Sequence, residues 1–333
     1  MGEEKLIEVK GLCQEFHLTK GFLQSLRIEN GKLVKADKVV HAVNSVDFEI
    51  KKGEVFSLVG ESGCGKSTTA RTVIRLLEPT KGQIFYKGKD ISHLSGRELL
   101  PYRKSMQMIF QDPYASLNPR QRVEEIIMEP MLFHGIVKTK EDARKRCHEL
   151  MERVGLRPEQ AGRYPHQFSG GQRQRIGIAR ALAVNPEFII ADEPVSALDV
   201  SIQAQILNLL MDLKDEFGFS YLFIAHDLSV VRHISDRLGV MYLGGIVEMG
   251  DRHAVFGNPL HPYTKVLFSA VPTVGEKPLV EEIEAEGEIP SPLEFPKGCS
   301  FSDRCPYRTE RCGREKPQLK EIEPGHFAAC HLL

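Results

Sequence analysis

The sequence predicts an α/β fold built on a largely parallel sheet, and three observations predict it. The first is the run Glu54-Val55-Phe56-Ser57-Leu58-Val59, apolar after its first residue, followed by a glycine-rich loop and then by Thr69 to Leu77, which suits a helix. The second is a later apolar run, Phe188-Ile189-Ile190-Ala191, that ends in the adjacent carboxylates Asp192 and Glu193. The third is the placing of helix-patterned segments between such buried runs, the arrangement that parallel strands need.

Along the chain, alternation at Leu6-Ile7-Glu8-Val9 and from Val43 to Ile50 predicts strands. The polar, irregular stretch between them, roughly 18–40, reads as a surface insertion. Gly82 to Tyr86 is a further strand candidate. Between residues 120 and 185 the character changes: Glu124 to Leu132, Lys140 to Val154 and Gln172 to Val184 show helical spacing with charge concentrated on one side. Strand–helix alternation returns at Glu187 to Ala191, Ile202 to Phe217, Ser220 to Ala225 and Gly239 to Tyr242. From Asn258 the composition shifts to Pro, Gly and Glu, through Pro290-Ser291-Pro292, to a tail rich in cysteine.

The whole chain has 333 residues, 41% hydrophobic and 27% charged, which suits a soluble globular protein of about two domains. A formal net charge of −1 gives no global electrostatic case for nucleic-acid binding. The start, Met1-Gly2-Glu3-Glu4-Lys5, lacks the apolar core of a secretory leader. The apolar stretch Leu238 to Val247 is about half the length needed to span a bilayer. The expectation is a cytosolic protein able to sit on a membrane through a partner.

The chemistry begins at Gly60-Glu61-Ser62-Gly63-Cys64-Gly65-Lys66-Ser67-Thr68, which matches G-x-x-x-x-G-K-[ST] at Gly60, Gly65, Lys66 and Ser67. Glycines let successive backbone N–H groups turn inward toward anionic oxygens. Lys66 supplies charge to the β- and γ-phosphates, the Ser67 hydroxyl can bind Mg²⁺, and the following helix adds its N-terminal dipole. Asp192 and Glu193 fall at the carboxyl end of a predicted strand, where open α/β sheets place ligands. Neighbouring strand residues point to opposite sides, so the two have separate tasks. Asp192 would hold Mg²⁺, mainly through water, and Glu193 would polarise the water that attacks the γ-phosphate. A third element, Phe168-Ser169-Gly170-Gly171-Gln172-Arg173-Gln174-Arg175, opens a helix with a serine and two glycines and so makes a second anion-binding N-terminus. One chain does not need two such ends for one γ-phosphate, so this one is expected to face a nucleotide held by another subunit.

At this point the sequence resembles the ATP-binding cassette (ABC) ATPases, whose signature is Leu/Phe-Ser-Gly-Gly-Gln. The remaining family elements follow in the family's order. Gln111, in Ile109-Phe110-Gln111-Asp112-Pro113, matches the glutamine that contacts Mg²⁺ and senses the partner. Ser196-Ala197-Leu198-Asp199 matches the D-loop, and His226, in Ile224-Ala225-His226-Asp227, matches the switch histidine. Phe16 stands where the family places an aromatic that stacks on adenine, with core packing as its other reading. Val195 stands where many members have Thr.

The resemblance spans roughly residues 5–255. It implies a RecA-like core with an antiparallel β subdomain and a helical signature subdomain at about 112–185, together forming a nucleotide-binding domain over 1–257. It also implies that two such subunits sandwich two ATP molecules head to tail. Each site then takes Gly60, Ser62, Gly63, Gly65, Lys66, Ser67 and Thr68 from one chain and Ser169, Gly170, Gly171, Gln172 and Asp199 from the other. ATP must bind the closed pair better than the open one for hydrolysis to drive movement.

The segment Asn258-Pro259-Leu260-His261-Pro262-Tyr263-Thr264 resembles one typical of the ATPase subunits of di- and oligopeptide importers. That resemblance implies a peripheral protein on the cytoplasmic face of a membrane. Its partners would be a second ATPase subunit, two permease subunits and, indirectly, an external solute-binding protein. Nickel or another small solute is the alternative cargo, and a soluble ABC ATPase of translation or DNA repair is the alternative class.

Residues 258–333 form the expected C-terminal extension. Of the seven cysteines, Cys299, Cys305, Cys312 and Cys330 lie in it, spaced x5, x6 and x17. Four thiolates in a poorly hydrophobic tail can organise it around a metal. The spacing lacks the close pairs common in zinc sites and is compatible with an iron–sulfur cluster. Within the importers this tail resembles one carrying a [4Fe–4S] cluster; zinc and unligated surface thiols are the alternatives. Cys64 reads as a small filler of the phosphate loop, and Cys13 and Cys147 as structural residues.

Overall fold

The structure is a computed structural model, and it describes residues 4–18, 26–29, 32–35, 38–270, 285, 287, 290, 291, 293 and 296–333. Its strands in chain order are β1 (Lys5–Leu18), β2 (Leu26–Glu29), β3 (Lys32–Lys35), β4 (Lys38–Lys51), β5 (Val55–Val59), β6 (Lys81–Tyr86), β7 (Lys89–Asp90) and β8 (Met106–Ile109). They continue with β9 (Phe188–Asp192), β10 (Ser220–Ile224), β11 (Arg237–Tyr242), β12 (Gly245–Asp251), β13 (Lys320–Glu323) and β14 (His326–Ala328). The helices are α1 (Lys66–Val73), α2 (Leu100–Ser105), α3 (Val123–Phe133), α4 (Lys140–Arg153) and α5 (Gly170–Leu182). After these come α6 (Val200–Phe217), α7 (Leu228–Ile234), α8 (Arg252–Gly257), α9 (Pro262–Ser269) and α10 (Glu310–Arg314). The expected insertion at 18–40 is described in part, at the end of β1, the antiparallel pair β2 and β3, and the start of β4.

The chain divides into two compact units. The first comprises residues up to Leu6, Ile50–Ser57 and Leu94–Asp236. In it β9 lies between β8 and β10 and runs parallel to both, with Met106 and Ser220 each opposite Phe188. These strands are near-continuous apolar runs because they are covered on both faces. Phe188, Ile189, Ile190, Tyr221, Leu222, Phe223 and Ile224 are all fully buried. Each such side chain contributes about 1.5–3 kcal/mol of burial.

The helices of this unit begin and end as their sequences dictate. At α4 the Thr139 hydroxyl accepts from the Asp142 N–H, and Glu141 and Asp142 complement the helix dipole. Helix α6 stops at Gly218, which takes the left-handed conformation at φ 70°. Helices α3, α4 and α5 pack on one another, giving the expected helical subdomain, and α5 also packs on β8 and α6.

The second unit comprises Ile7–Glu49, Leu58–His93 and Arg237–Leu333. One sheet in it has the order β4-β1-β6-β7, with β1–β6 and β6–β7 antiparallel. This is the expected antiparallel β subdomain. A second run of antiparallel strands has the order β11-β12-β14-β13. Strands β13 and β14 belong to the C-terminal extension, so the tail is stitched onto β12, with Glu248 opposite Ala328 and Met249 opposite Phe327.

A buried carboxylate strengthens that seam. Glu248 Oε1 lies 2.8 Å from His326 Nε2, and its two oxygens accept the N–H groups of Leu260 (2.9 Å) and His261 (2.7 Å). Tyr242, Tyr263 and Phe301 form an aromatic cluster with ring centroids 4.6–5.4 Å apart, tying the extension to β11.

Candidate functional site

The glycine-rich loop belongs to the second unit, between the end of β5 and α1. Its two fixed glycines are demanded by space as well as torsion. Gly60 has φ 150° and Gly65 φ 107°; a Cβ would stand 2.1 Å from the Met241 carbonyl oxygen at Gly60 and 2.3 Å from that of Ala42 at Gly65. No L side chain fits either place without backbone movement. Gly65 is the N-cap of α1, whose first turn holds Lys66, Ser67 and Thr68 and contains no acidic residue. The N–H groups of that turn and the helix dipole therefore favour an anion.

Lys66 is 95% buried, being 5% exposed, and its Nζ donates to the carbonyls of Gly60 (2.8 Å) and Glu61 (3.0 Å). Ser62 and Gly63 are exposed at the tip of the loop, while Cys64 is buried under it. Burial pushes the Cys64 thiol up, against the opposing charge of Lys66, in keeping with a filler role. Phe16, near the end of β1, is 37% exposed, so the core reading does not describe it.

The first unit assembles the carboxylate side of the chemistry. Asp192 ends β9 fully buried, and Glu193 leaves the strand at φ 46°. Gln111 Nε2 donates to Glu193 Oε2 at 2.7 Å, and His226 Nδ1 is 3.7 Å from the same oxygen. Three residues read separately from the sequence thus converge on one carboxylate. A cavity of ≈ 80 Å³ lined by Glu193, Ser196, Gln203 and His226 adjoins it, roomy enough for water and far too small for a nucleotide.

The same unit presents the signature helix. Ser169 caps α5: its Oγ accepts from the Gln172 N–H at 3.3 Å, and Gln172 Oε1 accepts from the Ser169 N–H at 3.0 Å. Ser169 and Gly170 are exposed. A Cβ on Gly171 would come within 2.6 Å of Ile202, so this glycine also lets α5 approach α6. Asp199 is the exposed N-cap residue of α6.

The structure gives no support to the metal expectation for the extension. Among the described residues, no group of three or more His, Cys, Asp or Glu side chains is arranged to hold a metal ion. Cys299, Cys305, Cys312 and Cys330 are neighbours whose charges would repel one another, and the Cys299 N–H donates to the Cys312 carbonyl at 2.7 Å. Burial pushes the Cys299 thiol up to about 11 and raises those of Cys305 and Cys330. Sequence reading also gave no role to Glu61, Tyr263 or Arg304, which the structure brings together at the phosphate loop.

Comparison with known proteins agrees with this geometry. The ABC transporter family profile matches residues 43–196, and the profile of the oligopeptide/dipeptide transporter C-terminal region matches residues 247–312. The chain is 53% identical to the oligopeptide transport ATP-binding protein AppF of Bacillus subtilis (strain 168), over 99% of this chain and 98% of that protein. It is 45% identical to the di/tripeptide transport ATP-binding protein DppF of Pseudomonas aeruginosa (strain UCBPP-PA14), over 98% of both. Among solved structures, the dimeric post-hydrolysis state of the ATP-binding cassette MJ0796 bound to ADP and Pi matches with TM-score 0.63 and 29% identity. That match covers 74% of this chain and 98% of that one.

A glycine cradle, a carboxylate contacted by a glutamine and a histidine, and a serine-capped helix on this fold define an ABC-type ATPase. The chain belongs to the family of ATP-binding subunits of oligopeptide and dipeptide ABC transporters. Among the described residues, no helix is long and apolar enough to cross a membrane.

Proposed function

We propose that this chain hydrolyses ATP to power uptake of di- or oligopeptides through a membrane permease. The observation that carries the reading is the match of its C-terminal segment, residues 247–312, to the oligopeptide/dipeptide transporter region, joined to a complete ordered set of nucleotide motifs. In this reading residues 1–257 are the nucleotide-binding domain and 258–333 the extension.

Lys66 and the N–H groups of Gly60 to Thr68 bind the phosphates, and Phe16 stacks on the adenine. Ser67, Gln111 and Asp192 would hold Mg²⁺, which supplies charge neutralisation to the phosphates when bound. Glu193 takes the proton of the attacking water, and His226 holds the γ-phosphate in position. The contact of Gln111 and His226 with Glu193 supports these roles, since it fixes the base and links it to the segment after Gln111. Residues 112–167 carry the permease-docking surface. Ser169, Gly170, Gly171, Gln172 and Asp199 face the nucleotide of a second ATPase subunit; the exposure of Ser169, Gly170 and Asp199 supports this. The pair works on the cytoplasmic face of the membrane, beneath two permease subunits that receive cargo from an external binding protein. That Cys299, Cys305, Cys312 and Cys330 bind an iron–sulfur cluster, or zinc, is supported by the sequence resemblance alone.

The test is transport-coupled ATP turnover. The chain is assembled in proteoliposomes with a second ATPase subunit, two permease subunits and a peptide-binding protein. A dipeptide or oligopeptide offered with the binding protein is expected to raise ATP turnover several-fold, and nickel is expected to leave it unchanged. Stimulation by nickel alone would replace the peptide reading with the metal-importer one.

A further inference from the structure

The phosphate loop carries an acid of its own. Glu61 follows the first fixed glycine, so a carboxylate sits in a loop that must receive a polyanion. Besides the Cys64 N–H, which donates to the Glu61 carbonyl at 3.3 Å, three contacts restrain this residue, and two come from the C-terminal extension. Arg304 Nη1 donates to Glu61 Oε2 at 2.9 Å and Nη2 to Oε1 at 3.2 Å, a bidentate fork in which the Arg304 side chain is 10% exposed. The Tyr263 hydroxyl accepts from the Glu61 N–H at 2.9 Å. The third contact is Lys66 itself, whose Nζ donates to the Glu61 carbonyl at 3.0 Å. Where residue 61 sits therefore decides where the Lys66 charge is held.

Arg304 is itself firmly placed. Its guanidinium lies 5.9 Å from the ring centroids of both Tyr242 and Phe301. It ends the short turn Ser302–Arg304, which the backbone anchors at both ends: the Ser302 N–H donates to the Cys299 carbonyl at 3.0 Å and the Cys305 N–H to the Ser302 carbonyl at 3.4 Å.

We propose that Arg304 is a positioning residue for nucleotide binding. By forking onto Glu61, with Tyr263 fixing the same residue's N–H, it neutralises and orients the phosphate loop, so that the C-terminal extension sets the affinity for the polyphosphate tail of ATP. The inference rests on the ATPase reading above and adds a function for the extension that needs no metal. Its physical content is that an unpaired Glu61 carboxylate repels incoming phosphates and releases the carbonyl on which Lys66 rests.

The experiment measures steady-state ATP turnover and thermal melting of the full-length chain and four variants: Arg304→Gln, Arg304→Lys, Glu61→Gln and the double variant Arg304→Gln/Glu61→Gln. Arg304→Gln is expected to raise KM for ATP about tenfold with kcat within about twofold. Arg304→Lys keeps the charge but loses the fork and should raise KM about threefold. The double variant should recover most of the loss, because the uncompensated anion is gone. A KM unchanged in Arg304→Gln while the melting temperature falls would reduce Arg304 to packing and overturn the proposal, as would a double variant no better than the single one. Should Arg304→Gln fail to fold, Arg304→Lys decides: an unchanged KM refutes the clamp. Wild-type chain that neither binds nor splits ATP would bring down the ATPase reading, an outcome separate from failure of the clamp alone.

Discussion

Glu193 is the side chain on which Gln111 and His226 meet. It leaves its strand in the left-handed region, at φ 46°, a conformation that costs a non-glycine residue about 1 kcal/mol or more. The surrounding contacts hold it there: Gln111 at 2.7 Å and His226 at 3.7 Å, both on Oε2. Glu193→Gln keeps shape and hydrogen bonding but cannot accept a proton. It should lower ATP turnover by about 10²–10⁴-fold while leaving ATP bound, measured by single-turnover hydrolysis and nucleotide retention. Turnover near the wild-type rate would remove Glu193 as the base. Glu193 and Lys66 were legible in the sequence because each sits at a fixed spacing within one strand–loop unit. The Arg304–Glu61 fork was not, since its partners stand 243 positions apart and no local pattern marks a lone arginine in a polar tail.

Among the elements, the strands of the core were readable because burial on both faces writes a continuous apolar run. Strands β13 and β14 were not: Lys320–Glu323 is a short, charged and exposed segment that pairs with β14, and β14 in turn pairs with a strand far back in the chain, β12. The conspicuous His261-Pro262-Tyr263 was read only as a family mark. Its structural work is clear in helix α9, where the His261 ring caps the first turn by accepting from the Tyr263 N–H at 3.0 Å, with Pro262 at the first helical position.

Burial pushes His261 down to about 4, against the opposing pull of Glu248. Because its folded value lies below the unfolded one near 6.5, the unfolded chain binds the extra proton between those limits. The contribution of His261 to stability is therefore whole above about pH 6.5 and is lost as pH falls toward 4. The loss should be about 2 kcal/mol between pH 7 and pH 5. Urea unfolding at several pH values should show this fall in the wild type and a shallower one in His261→Asn, which keeps a capping side chain. Equal slopes would assign the pH dependence to other groups.

On the scale of the whole molecule, the motifs are divided between units. The glycine-rich loop falls in the same unit as the C-terminal segment, whereas Glu193 falls in the same unit as helix α5. Chain order hides this, because each unit is assembled from separated stretches. The order of motifs was sufficient to reveal the family, yet it said nothing of the extension's hold on the loop. Four thiols in 32 residues (299–330) implied a ligand set, but among the described residues no group of three or more such side chains is arranged to hold a metal ion.

The central claim is that this chain grips and splits ATP with its own loop. The most direct measurement is ATP binding and turnover by Lys66→Ala beside the wild type, at matched fold as judged by thermal melting. The account predicts a weaker nucleotide affinity and a fall in turnover of at least about 10²-fold, because no other cation in the loop replaces the buried ammonium. Binding and turnover equal to the wild type would contradict it.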